Sequence, residues 1–186
     1  KYTDGGIANN VPVNSLLERG YEDLIVVRIH GPGWEQRVKL PEDGTFYEVS
    51  PRVKLGSILE FSTRRSRQNL TIGYYDMKRV LYGLEGRIYY LEQTHEDDYY
   101  SRLLEPLKEI EKAEIAFVLK LSLGNNDKEL YMGMLEAAAK LLRIPKYRIY
   151  TVDQLFEMVY KKYITLEDQM NLPRFVHVLM ELKEGN

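Results

Sequence analysis

The spacing of hydrophobic and polar positions changes along this chain, and the change divides it. Lys1-Tyr2-Thr3 reads as the tail of a strand, and Asp4-Gly5-Gly6 as the turn that ends it. Asn10 is a candidate N-cap, and Pro12 suits a first helical turn, where a missing N–H costs nothing. The helix is expected to reach about Arg19, with Gly20 as its C′ residue. Leu24-Ile25-Val26-Val27-Arg28-Ile29-His30 is β-branched and almost continuously apolar, which predicts a strand buried on both faces. Strand end, turn, helix and strand over residues 1–30 spell a βαβ unit, and therefore a parallel sheet in an α/β fold.

Gly31-Pro32-Gly33 closes that strand. Val38-Lys39-Leu40 and Phe46-Tyr47-Glu48-Val49 flank Pro41-Glu42-Asp43-Gly44-Thr45, and the Asp-Gly step predicts a hairpin or tight turn. From Ser50-Pro51 the period becomes helical, with Leu55, Ile58, Leu59 and Ser62 recurring on one face. Most of 53–84 is expected as helix, with a break near Gly73. Arg87-Ile88-Tyr89-Tyr90-Leu91 alternates like a short strand.

The polar, acidic run Thr94-His95-Glu96-Asp97-Asp98 marks the expected boundary, separating 1–95 from a nearly all-helical 96–186. There Leu103, Leu104, Leu107 and Ile110 share a face interrupted by Pro106. Asn126 or Asp127 is placed to cap a helix from about Lys128 to Leu142. Thr151 with Gln154 forms a capping box for a helix from Val152 to about Tyr163, and Leu172 to Leu182 is a last helix candidate. No internal repeat or low-complexity segment is present.

Bulk composition narrows the chemistry. With 44% hydrophobic and 29% charged residues, the 186-residue chain is expected to bury a core. A formal net charge of -2 gives no electrostatic reason to expect nucleic acid. There is no cysteine, so thiolate metal sites and disulfides are excluded. No apolar run approaches the roughly 20 residues that a membrane helix needs.

The sharpest signal is Tyr2-x-Asp4-Gly5-Gly6-x-x-x-Asn10-x-Pro12. It puts one carboxylate at the carboxyl end of a parallel strand, where functional groups collect in such sheets. This stretch resembles the Asp-Gly-Gly/Ala motif of patatin-like phospholipases. Leu55-Gly56-Ser57-Ile58-Leu59-Glu60-Phe61, Gly73-Tyr74-Tyr75-Asp76 and Gly86-Arg87-Ile88-Tyr89-Tyr90 are similar to segments that follow the motif in some bacterial members. The resemblance covers roughly residues 1–92.

It implies the C-terminal fragment of a patatin-like parallel-sheet hydrolase core (1–95), followed by an α-helical region (96–186). It also implies a Ser-Asp dyad in which Asp4 is general base, with Gly5 and Gly6 shaping its turn. The family's dyad needs no cofactor and no metal. Its substrates are lipid or other carboxylic esters. A cytoplasmic protein that visits membrane surfaces follows from the resemblance alone.

No serine here sits in G-x-S-x-G: Ser57 follows Gly56 directly, and Ser122 lacks a glycine two residues before it. The nucleophile and oxyanion loop are expected in a missing N-terminal part, so this chain alone should be inactive. The rival reading is a non-catalytic helical interaction or regulatory module attached to a degenerate hydrolase core.

Other candidates have plainer explanations. His30 ends the strand after Asp4 and is either a near-site residue or a polar strand cap. His95 and His177 have no second ligand at metal spacing. Arg64, Arg65 and Arg67 read as a solvated helix face. The tyrosine pairs Tyr74-Tyr75, Tyr89-Tyr90 and Tyr99-Tyr100 read as packing. Met132, Met134, Met158 and Met170 read, with Leu130, Leu141, Phe156 and Val159, as helix core rather than an acyl groove.

Overall fold

The computed structural model describes residues 9–29, 34, 37–38, 40, 42, 44–57, 62–122 and 126–184. The chain folds as two compact units, Lys1–Gly83 and Leu84–Asn186.

In the first unit, Val13–Leu17 forms a short helix, α1. Pro12, rather than Asn10, is its N-cap. Asn9 instead turns the entry, its Oδ1 accepting the Val11 N–H at 3.3 Å. The helix stops before Arg19, and Gly20 takes φ +84, a conformation that suits glycine after a helix end. β1 (Leu24–Val27) pairs in parallel with β2 (Phe46–Val49), in register from Leu24↔Phe46 to Val27↔Val49.

β2 pairs with β1, and Val38 packs with Val13, Leu24 and Val26; the expected hairpin or tight turn at 41–45 lies partly outside the described residues. One expectation is corrected here: β1 is buried on one face only. Leu24 and Val26 are covered, whereas Ile25 and Val27 are 55% and 66% exposed. One short helix covers one side of a strand, so the alternation typical of a half-buried strand results.

Helix α2 (Thr63–Tyr82) begins ten residues later than its apolar spacing suggests, because Ser62 is its N-cap: Ser62 Oγ accepts from the Arg65 N–H at 3.3 Å. Gly83, at φ +61, closes it with an N–H to the Arg79 carbonyl. No break occurs at Gly73. One glycine costs about 1 kcal/mol against alanine, too little to interrupt a helix that seats Ile72 and Asp76 on its inner face. Arg64 and Arg67 are exposed, as a solvated face should be.

The second unit is built around α5 (Asp127–Leu141), which touches α3 (Asp97–Leu104), α4 (Glu109–Val118), α6 (Val152–Ile164) and α7 (Arg174–Glu184). Met134, Leu135, Ala138 and Ala139 of α5 are fully buried; the small alanines let neighbours approach closely. Caps follow the sequence. Asn126 Oδ1 accepts the Glu129 N–H at 2.9 Å, and Thr151 and Gln154 exchange both capping-box bonds at 3.1 Å. Pro106 falls in the break between α3 and α4.

β3 (Tyr90–Glu92) pairs in parallel with β4 (Ile149–Thr151). Tyr89 and Leu91 are fully buried in the helical core with Tyr100, Tyr131 and Tyr150. The division between the units therefore falls at Gly83/Leu84, ahead of the polar run at 94–98. The pairing of β3 with a strand far along the chain decides this, and the polarity of a surface loop does not.

A buried carboxylate fixes the approach to β3. Glu136 is 1% exposed. Its Oε2 accepts the Arg87 N–H at 2.9 Å, and its Oε1 accepts those of Ile88 and Tyr89 at 3.0 and 2.8 Å. Three main-chain donors satisfy a charge that would otherwise be costly to bury. Gly86, at φ +90, passes so close that an added Cβ would stand 2.6 Å from Glu136 Oε1.

Candidate functional site

The residues singled out for chemistry, Asp4, Gly5, Gly6 and His30, lie outside the described residues. Beyond them the described chain resumes at Asn9 and Asn10 on one side and at Trp34 on the other. The Asn10 N–H donates to the Trp34 carbonyl at 2.6 Å. Asn14 adds a second tie, its Nδ2 donating to the Arg37 carbonyl at 3.2 Å. Residues 10–14 and 34–37 are thus tied to each other.

The carboxyl ends of β1 and β2 open onto a cleft of about 360 Å³, lined by Ile29 beyond β1 and by Pro51 to Gly56 beyond β2. Clefts at this edge are the usual ligand position in parallel α/β sheets. Two bonds from α2 hold the 51–56 wall. Arg52 Nε donates to Asp76 Oδ1 at 3.3 Å, and Asn69 Nδ2 donates to the Leu55 carbonyl at 2.9 Å. Asp76 is 4% exposed, so Arg52 meets a buried charge. The sequence carried a signal for this: an acidic residue one turn after Ile72, on the helix's apolar stripe.

The second unit carries a polar cluster that sequence reasoning missed. His95 precedes α3, Tyr99 lies within it, Asp153 sits in the first turn of α6, and Lys183 is near the end of α7. His95 Nε2 lies 2.7 Å from Asp153 Oδ2, and its ring stacks on Tyr99 with centroids 3.8 Å apart. Lys183 Nζ donates to Tyr99 Oη at 3.0 Å and to Asp153 Oδ1 at 3.4 Å. Burial works against the Lys183 charge, but the hydrogen bond with Tyr99 and the fields of Tyr99 and Asp153 prevail and hold its pKa above the ordinary lysine value. These four residues are scattered through the sequence from 95 to 183, and no local spacing connects them.

The tyrosine pairs are mostly packing groups: Tyr89, Tyr90 and Tyr100 are buried, and Tyr74 meets Tyr75 edge to face at 5.2 Å. His177 Nδ1 lies 3.2 Å from Tyr163 Oη across α6 and α7. Among the described residues no group of three His, Cys, Asp or Glu side chains could hold a metal ion. No helix among them is long and apolar enough to cross a membrane.

The chain is a mixed α/β protein, with two short parallel strand pairs among the described residues. Comparison with protein-family models, with curated proteins and with solved structures finds no match in any of the three.

Proposed function

We propose that this chain supplies the general-base carboxylate of a patatin-like Ser-Asp acyl hydrolase acting on lipid or other carboxylic esters. The observation that carries the reading is the string Asp4-Gly5-Gly6-x-x-x-Asn10-x-Pro12 leading into a helix and a parallel strand. The parallel pairing of β1 with β2, and a cleft at the carboxyl ends of both, support it. In a dyad the carboxylate takes the serine proton directly, help typically worth about 10² to 10⁴ in rate. The serine and the oxyanion donors come from outside this sequence, so the chain alone should not turn over p-nitrophenyl esters.

The test is Asp4→Asn in a protein that joins this chain to the segment carrying the serine. Hydrolysis should fall by at least about 10² while the circular dichroism spectrum stays unchanged. Near-wild-type turnover in the folded variant, or turnover by the chain alone, would refute the reading.

A second reading has its own support. Residues 84–186 form a compact unit with a continuous core, as a separate regulatory or interaction module would. Under that reading the hydrolase core is degenerate, and the joined protein shows no ester hydrolysis with or without the Asp4 substitution.

A further inference from the structure

We propose that the cleft between α3 and α7 of the second unit binds a small-molecule oxyanion, a phosphate or a carboxylate. The cleft encloses about 350 Å³ and is lined by Tyr99, Arg102, Leu103 and Lys183. Three of the four present hydrogen-bond donors, two of them cationic, and no carboxylate is among the described lining residues.

Each donor has capacity to spare. Tyr99 Oη already accepts from Lys183, so its own hydrogen must be given elsewhere. Among the described residues it meets no acceptor. Lys183 has three N–H bonds and uses two, on Tyr99 and Asp153. Arg102 meets Asp98 at 3.3 Å in a pair whose side chains are 73% and 75% exposed. Such solvated pairs are weak, so the guanidinium exchanges readily onto a ligand.

The surroundings fix these donors in place. His95 stacks on the Tyr99 ring and is itself held by Asp153, so the phenol is presented by two elements besides its own helix. Leu103, on α3 beside Arg102, is the one apolar residue of the described lining, and at 4% exposure it belongs mainly to the core beneath. Asp98 and Asp153 pair directly with the two cations, at 3.3 and 3.4 Å, and offset much of their charge. The cleft therefore selects by donor geometry more than by net field. This site is independent of the hydrolase reading, because all its residues belong to the second unit.

The experiment titrates the full 186-residue chain with inorganic phosphate and, separately, with pentanoate, following backbone amide chemical shifts. Saturable shifts at Tyr99, Arg102 and Lys183 with either anion support the proposal. The anion that saturates identifies the ligand class. Arg102→Gln and Tyr99→Phe, which remove donors without emptying the core, should each weaken that binding about tenfold. Lys183→Met should do the same; should it disturb the fold, the other two variants decide. Non-saturating shifts with both anions, or binding unchanged in Arg102→Gln and Tyr99→Phe, would overturn it.

Discussion

Replacing Glu136 by glutamine tests whether the irregular approach to β3 hangs on one carboxylate. The change is nearly isosteric, so packing is retained and only the hydrogen bonding is altered. The glutamine oxygen can keep the bonds from Ile88 and Tyr89, now neutral rather than charge-assisted. Its amide nitrogen then faces the Arg87 N–H, donor against donor. Charge-assisted bonds contribute about 1.5–3 kcal/mol and neutral ones about 0.5–1.5, so two weakened bonds cost about 1 kcal/mol each. The opposed donors add about 1–3 kcal/mol, which brings the expected loss to roughly 3–5 kcal/mol. For a unit of this size that corresponds to a melting temperature lower by at least about 12 °C.

The assay is urea unfolding of the whole chain, read by the near-UV dichroism of the buried tyrosines. Amide exchange at Arg87, Ile88 and Tyr89 locates the effect. Gly86→Ala should act through the same carboxylate, because its Cβ would stand 2.6 Å from Oε1 and 2.8 Å from the Tyr89 carbonyl. The two changes together should cost less than their sum, as neighbours sharing one partner do. Stability of Glu136→Gln within about 0.5 kcal/mol of the parent, or unchanged protection of the Tyr89 amide, would refute the reasoning.

Two further predictions concern the same core. Burial, then the field of Glu85, pushes the Tyr100 hydroxyl up to about 12; burial also raises Tyr89 and Tyr131. Their folded-state values lie above the unfolded one, so the stability they contribute is complete below about pH 10; the Tyr100 share is lost as pH rises through about 12, and the Tyr89 and Tyr131 shares at higher pH still. Absorbance at the phenolate band should show these tyrosines ionising late, together with loss of tertiary dichroism; a single wave near pH 10 with dichroism intact would contradict this. Met134→Ala, at a fully buried position, should cost about 2–5 kcal/mol, whereas Met170→Ala, at 92% exposure, should stay within about 0.5 kcal/mol. Equal effects in urea unfolding would undo the assignment of these methionines to core and surface.

What the sequence made legible was local. Asn126, Thr151 with Gln154, and the split at Pro106 each act within one helical turn, so their residues suffice to read them. What it hid depended on partners far along the chain. Phe46 to Val49 reads as half of a hairpin because Asp43-Gly44 precedes it, yet its partner lies more than twenty residues back. Arg87 to Leu91 reads as the close of the first unit, yet β3 is held by β4 and by Glu136. Met170 falls in the helical half but is not core, because it lies in the turn before α7 rather than on a helix stripe. For the candidate sites, the Asp4 motif is contiguous and could be named. Tyr99, Asp153 and Lys183 converge only once three helices have packed.

Both units use a buried carboxylate for the same task. Glu136 holds the backbone just before β3, and Asp76 holds Arg52 just after β2; neither stabilises the helix that carries it so much as the irregular segment opposite. In the first unit that segment is a wall of the cleft at the sheet's carboxyl edge. Under the hydrolase reading Asp76 therefore acts on substrate fit through the 51–56 wall, and its loss should raise KM more than it lowers kcat. Asp4→Asn has the opposite signature, a collapse of kcat. Arg102→Gln touches neither parameter and removes only oxyanion binding in the second unit. Three substitutions with three separate readouts thus distinguish a failed catalytic reading from a failed cleft, which a single activity assay would confuse.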